Sequence, residues 1–163
     1  MALVTAPQPT IPDFEHEYHT VIVDTADQPN AQMTKGITVF LPTPLENIVQ
    51  VELTAARFIG ITTTTNIIHV SIDELKNTFF QRAKKDLDGA DNHINGSFGS
   101  IVTAGATSLT FKNEYPLVQQ YITPIRKLDR LNLKLYKQDG DEVVDATKAF
   151  MVFKFICKKK NLM

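Results

Sequence analysis

An all-β fold is predicted for this chain, and three observations predict it. Short apolar runs alternate with polar residues at a period of two along most of the length. Clusters of Pro, Gly, Asn and Asp separate the runs, as turns separate short strands. Only one segment carries a helical period. About eight such runs in 163 residues point to a sandwich or a barrel in one domain, large enough for a real core.

The elements follow in order. Residues 1–17 contain Pro7, Pro9 and Pro12 and no period, and are read as an extended N-terminal arm. Val21 and Val23 alternate with polar neighbours in the first strand. The polar segment 24–36 is a loop. Ile37, Val39 and Leu41 form a second run, which Pro42 and Pro44 are expected to stop. Val49, Val51 and Leu53 alternate with Gln50, Glu52 and Thr54, and Ile68, Val70 and Ile72 alternate with His69 and Ser71. Ile101 with Thr103 and Leu109 with Phe111 make two shorter pieces.

The densest signal lies at residues 124–140. Pro124 sets an extended entry. Leu131, Leu133 and Leu135 alternate with Asn132, Lys134 and Tyr136, giving one apolar and one wet face. Asp139-Gly140 supplies the positive φ of a tight hairpin turn, and a second apolar run follows from Val143 to Cys157. The last strand, roughly 148–157, is apolar on both faces: Phe150, Val152 and Ile156 against Met151, Phe153, Phe155 and Cys157, with Lys154 interrupting. Such a strand is either doubly covered within the fold or covered by another subunit.

Ser71-Ile72-Asp73-Glu74 has the form of a capping box, and Leu75, Phe79 and Ala83 recur four apart. Lys84 and Lys85 suit the negative end of a helix, and Asp88-Gly89 would end it. One short inserted helix of two to four turns is predicted here; a loop with a single helical turn is the alternative. Residues 86–99 are a loop rich in Gly, Asn and Asp.

Composition narrows the function. The formal net charge is −1 and the pI near 6.4, so no global electrostatic case exists for nucleic acid or an anionic membrane. Lys158-Lys159-Lys160 reads as a solvated end. Cys157 is the only cysteine, which rules out an intrachain disulfide and suits a reducing compartment. No window offers the roughly 20 apolar residues of a membrane-spanning helix. Residues 1–6 lack the basic start of a signal peptide, so assembly from the cytosol is expected.

No constellation of chemical groups rises above background. His16 and His19, beside Glu15 and Glu17, lie three apart in the lead-in to a strand, which places them on opposite faces and not around one metal. Asp86, Asp88 and Asp91 with Gly89 fail the spacing of a calcium loop. His69 is expected to be packed or hydrogen-bonded, His93 has no evident partner, and Cys157 reads as an inert buried thiol. Gly96-Ser97-Phe98-Gly99 lacks the lysine and spacing of a phosphate loop. With no tryptophan and four tyrosines, stacking platforms for sugar or single strands are poor. The expectation is a non-enzyme with no catalytic residue, no cofactor and no metal site.

Three segments carry a family resemblance: Asn47-Ile48-Val49-Gln50-Val51-Glu52-Leu53, Ile68-His69-Val70-Ser71-Ile72-Asp73-Glu74-Leu75, and Pro124-Ile125-Arg126-Lys127-Leu128-Asp129-Arg130-Leu131 through Asp139-Gly140. Together they resemble the small jelly-roll minor capsid proteins of nucleocytoplasmic large DNA viruses and their satellite viruses, over roughly residues 37–157. The arm and the loop at 86–99 match nothing in that pattern. The resemblance implies a single antiparallel jelly-roll sandwich over residues 18–158, between the arm and a tail at 159–163. It implies a structural role in assembling or cementing an icosahedral shell. Partners would be the major capsid protein, other minor capsid proteins and further copies of the chain; the site would be the virion, after assembly in the host cytoplasm. Neither direct nucleic-acid binding nor a transmembrane segment is expected. The arm, the loop at 86–99 and the tail would carry contacts. Two rival readings are a β-sandwich that binds carbohydrate or a lipid surface, and a cupin-like enzyme, which would need histidines clustered inside a barrel.

Overall fold

The computed structural model describes residues 15–25, 36–61, 66–77, 80–81, 94–102, 108–143 and 148–160. These residues form one antiparallel sheet of six strands: β1 (His16–Asp24), β2 (Ile37–Ile59), β3 (Ile67–Ile72), β4 (Gly99–Val102), β5 (Ser108–Lys137) and β6 (Lys148–Lys158). The order across the sheet is β1-β6-β2-β5-β3-β4.

The described residues of all eight predicted runs fall on strands, but on six strands and not eight; Thr103 lies outside the described residues. The runs at 37–41 and 49–53 are one continuous strand, as are those at 109–111 and 130–137. Pro42 and Pro44 do not stop the second run, because the ladder makes room for them. Between the pairs Phe40↔Arg130 and Leu45↔Leu128, residues 41–44 of β2 face Asp129 alone. A proline has no N–H to give a ladder, so it survives where pairing lapses. The same device recurs on β5. Residues 121–124 face Val49, and residues 113–116 face Thr54, which puts Pro124 and Pro116 in gaps of the ladder. Asn47 takes a positive φ of 53° beside the first of these irregularities.

These bulges bend β2 and β5, so each long strand serves both halves of the sheet. The C-terminal half of β2 pairs with β6 on one side and with the start of β5 on the other. Its N-terminal half pairs with the end of β5, which in turn pairs with β3. The sheet curls so that the β3–β4 end folds over β5 and β6. Phe98, just before β4, packs edge-on against Phe153 of β6, with ring centroids 5.7 Å apart. Tyr121 Oη donates to Leu75 O at 2.9 Å, and Gln119 Nε2 donates to Phe98 O at 2.8 Å. A Cβ on Gly99 would lie 2.7 Å from Leu117 Cδ1, so β4 lies close over the start of β5. The core inside the curl includes Ile48, Val51, Leu53, Phe58, Leu131, Leu133, Leu135, Met151, Phe153 and Phe155.

The turn after β5 forms as expected. Gly140 has φ 99°, its N–H donates to Lys137 O at 3.1 Å, and Lys137 N–H donates to Asp141 O at 2.7 Å. The returning chain does not become the next strand beside β5, however. It makes one bridge, Tyr136↔Glu142, and β6 pairs instead with β1 and β2.

The predicted inserted helix is overturned over its described residues. Asp73–Leu75 forms a single 3-10 turn, preceded by Ile72 in extended conformation with no side-chain cap. Residues 76–77 and 80–81 are not helical, and the rest of the segment to Lys85 lies outside the described residues. The capping-box pattern fails because its parts have other duties. Ser71 is buried in β3, paired with Lys134. Glu74 turns to β5: its carboxylate accepts the backbone N–H of Asn132 at 2.8 Å and also the Asn132 side-chain amide.

The last strand is not covered on both faces. Its inner side chains, Met151, Phe153, Phe155 and Cys157, are buried, whereas Phe150 on the outer face is exposed and Val152, Lys154 and Ile156 are half-buried. The strand buried on both faces is β3, where His69 and Ser71 are buried along with Ile68, Val70 and Ile72.

Thr25 fastens the end of β1 to β6. Its backbone N–H donates to Ala149 O at 3.1 Å, and its buried hydroxyl accepts from Ala149 N–H at 2.8 Å. Thr25→Val keeps the shape but leaves that N–H unsatisfied. It is expected to cost about 1–2 kcal/mol, read as a lower urea midpoint at unchanged slope.

Candidate interaction surfaces

Strand alternation and pairing build one continuous outer face on the half of the sheet formed by β1, β6, the end of β2 and the start of β5. The registers set Tyr18 beside Ile156 and Gln50, Thr20 beside Lys154 and Glu52, Ile22 beside Val152, and Asp24 beside Phe150 and Arg57. Gln120 and Val118 extend the first two rows onto β5. The polar members bind one another. Gln120 Nε2 donates to Gln50 Oε1 at 3.1 Å, Gln50 Nε2 donates to Glu52 Oε1 at 2.6 Å, and Lys154 Nζ lies 5.2 Å from the centre of the Tyr18 ring.

Eight large apolar side chains are exposed among the described residues, and six of them share this face: Tyr18, Ile22, Ile59, Val118, Ile122 and Phe150. Ile122 is 85% exposed. The bulge at 121–124 carries it outward, and it borders a depression of about 420 Å³ with His16, Tyr18, Val49, Gln50, Gln120 and Ile156. Single exposed apolar residues are ordinary on a soluble protein, but clustering on one sheet face is not.

A second recess, of about 480 Å³, lies at one end of the sheet, where Glu17 and His19 meet residues 43–47 and Lys158, Lys159 and Lys160. Its charges are mixed. Lys160 Nζ pairs with Glu46, and this hydrogen bond and charge hold the Glu46 carboxyl below its usual range. His19 Nε2 lies 3.4 Å from Glu17. Lys160 of the basic run therefore folds onto a local carboxylate as well as meeting water.

The candidate chemical groups are dispersed. His16 borders the outer depression and His19 the recess, on opposite faces of β1 as the spacing requires. His69 is buried, with Nδ1 2.7 Å from Ser100 Oγ. In the Gly96-Ser97-Phe98-Gly99 turn, the N–H groups of Gly96, Ser97 and Phe98 donate to the carbonyls of Phe80, Ile94 and Val70, so they do not converge on an anion. Asp86, Asp88, Asp91 and His93 lie outside the described residues. So do residues 1–14, 82–93 and 161–163, which hold most of the arm, loop and tail expected to carry contacts. Among the described residues no group of three or more His, Cys, Asp or Glu is placed to hold a metal ion, and no helix is long and apolar enough to cross a membrane.

Cys157 is buried between Glu17 of β1 and Ile48 of β2. Burial, reinforced by the Glu17 charge, pushes its thiol up to about 11 from 9.0. The folded state thus holds this proton more tightly than the unfolded chain. The resulting stability is complete below pH 9 and is lost as pH rises from 9 toward 11. Wild type is therefore expected to lose more of its urea midpoint over that window than Cys157→Ala. The native thiol should also react with a thiol reagent at pH 8 only as fast as the protein opens.

The apolar outer face is not legible in the sequence, because residues 112–129, which lie within β5, carry no clean strand pattern. Val118, Gln120 and Ile122 alternate with Gln119 and Tyr121, but the polar glutamines and the flanking prolines dilute the pattern. No protein-family model matches this chain, and no curated protein matches its sequence.

Proposed function

We propose that this chain is a structural shell protein: a jelly-roll minor capsid protein that helps assemble or cement an icosahedral viral shell through protein–protein contacts. The observation that carries the reading is the apolar face of Tyr18, Ile22, Val118, Ile122 and Phe150, held on a rigid sheet and left uncovered by the described chain. A sheet face with an apolar centre and hydrogen-bonded polar rows suits a protein partner. The curl, in which long bent strands serve both halves, is compatible with a jelly roll. The near-zero net charge limits repulsion between packed copies. The resemblance of residues 37–157 supplies the viral setting, with the major capsid protein, other minor capsid proteins and copies of this chain as partners. The role is non-enzymatic and is performed in the virion, after assembly in the host cytoplasm.

Quantitative mass spectrometry of purified virus particles tests this. The wild-type polypeptide is expected at a fixed ratio to the major capsid protein, and the double variant Ile122→Glu with Phe150→Glu is expected to be depleted while remaining folded in solution. Absence of the wild-type chain from particles, or equal incorporation of the variant, would overturn the reading. Saturable binding of a glycan or lipid vesicle at the same face would replace it with the carbohydrate- or lipid-surface alternative.

A further inference from the structure

Ile122 is the most exposed large apolar side chain among the described residues, at 85%. Its prominence is built in. Tyr121, its neighbour, donates its hydroxyl to Leu75 O at 2.9 Å, which ties the 121–124 bulge down on one side and lifts Ile122 on the other. Ile122 stands on the rim of the outer depression of about 420 Å³. Val49 of β2 and Ile156 of β6 also line it, so it extends from β5 across the two neighbouring strands. Gln50 and Gln120 line it too. Their amides are fixed by the hydrogen bonds from Gln120 Nε2 to Gln50 and from Gln50 Nε2 to Glu52, so the hollow is formed in advance.

The lining sets the depression apart. Charged residues make up 21% of the chain, yet no Asp, Glu, Lys or Arg lines this hollow. The recess at the end of the sheet, by contrast, is lined by Glu17, Glu46 and three lysines. In a two-fold contact every group near the axis lies close to its own counterpart, so a charge there meets its like and is repelled. A patch without formal charge escapes that repulsion, and a highly charged partner gains nothing from it.

A knob beside a hole on one face is self-complementary. Ile122 is on β5, and Ile156 lies two strands away across β2, a distance of about 10 Å. A two-fold axis lying in the plane of contact, midway between Ile122 and the depression, sets the Ile122 of each copy into the depression of the other. Each copy gives one apolar side chain and receives one, and the two contacts are identical.

We propose that a second copy of this chain docks face to face on the outer side of the sheet, with the Ile122 of each copy seated beside Val49 and Ile156 of the other. The inference rests on the shell reading for the use of this face, and it names the partner. That partner is the chain itself because knob, hole and charge-free lining all stand on one surface. An isologous contact requires this, and a contact between unlike proteins does not. One seated side chain from each copy makes a small interface, so the dimer forms at high protein concentration or within an assembly.

Sedimentation velocity over a range of concentrations measures the contact. The wild type is expected to show a concentration-dependent dimer. Ile122→Ser removes both knobs at once and should weaken the dimer about a hundredfold. Val49→Phe, which fills the hole and leaves the knob, should weaken it as well. Phe150→Ser, on the same face but outside the depression, should change it by no more than about twofold. Oxidising a mixture of Ile122→Cys and Ile156→Cys chains should give the disulfide heterodimer, and neither chain alone should; the wild type, with its buried Cys157, is the control. Circular dichroism checks that each variant is folded. A wild type that stays monomeric at the highest attainable concentration, or equal losses from Ile122→Ser and Phe150→Ser, would overturn the proposal. A monomeric chain whose Ile122→Ser variant is depleted from particles would assign the face to a different shell protein, so the shell reading would stand while this inference fell.

Discussion

Phe153→Ala is expected to remove about 3–5 kcal/mol of folding stability. Phe153 is fully buried, packs edge-on against Phe98, and lies 6.3 Å from the Phe155 ring. It stands on β6 near one end of the sheet, and Phe98 precedes β4 at the other, so their contact is a seam of the curl. Removing the ring deletes apolar burial and leaves a cavity that bent strands cannot easily collapse. A domain of ordinary stability holds about 5–15 kcal/mol, so the variant would sit close to unfolding at room temperature. Urea denaturation measures the loss. Phe98→Ala and the double variant complete a cycle whose coupling is expected at about 0.5–1.5 kcal/mol, the value of an edge-on aromatic pair beyond its buried area. Additive losses would mean that the two ends of the sheet are stabilised independently.

The parts of this fold that were legible in the sequence are those where alternation runs without interruption. Leu131, Leu133 and Leu135 read as one face and are all buried, as are Met151, Phe153 and Phe155. The places where the reading failed are places where the ladder slips. Val49 belongs by period to the face of Val51 and Leu53, yet the register shift between Ile48 and Gln50 leaves it at the outer depression, while Ile48 takes the core position. A one-residue slip reverses every side chain beyond it, and nothing local announces it. The prolines did mark the bulges, but a proline that interrupts pairing looks in sequence like a proline that ends a strand.

The same ambiguity hid the candidate interface. Strand β3 reads as half polar and is buried on both faces; β6 reads as apolar on both faces and has one face open. Which face is covered depends on how the sheet curls, and that is decided by contacts far apart in sequence, such as Tyr121 with Leu75 and Phe98 with Phe153. Alternation reports that a strand has two faces. It does not report what lies over each.

Glu74→Ala is expected to cost about 1.5–3 kcal/mol, more than an exposed carboxylate usually would. β3 ends its pairing with β5 at Ile72↔Leu133. One residue further along β5, Asn132 turns its backbone N–H to the Glu74 carboxylate at 2.8 Å, where β3 no longer provides a ladder partner. The other carboxylate oxygen accepts from the Asn132 side-chain amide, whose Oδ1 in turn accepts from the Thr38 hydroxyl at 2.6 Å. Arg130 Nε stands 3.9 Å away. One side chain thus replaces a strand's hydrogen bonding and ties β3's end to β5 and, through Asn132, to β2. Glu74→Gln keeps one acceptor oxygen and should lose roughly half as much, by urea midpoint at unchanged slope. If Glu74→Ala costs no more than a typical surface substitution, within about 0.5 kcal/mol, then water satisfies the Asn132 N–H unaided and the end of β3 is fixed by its apolar contacts alone.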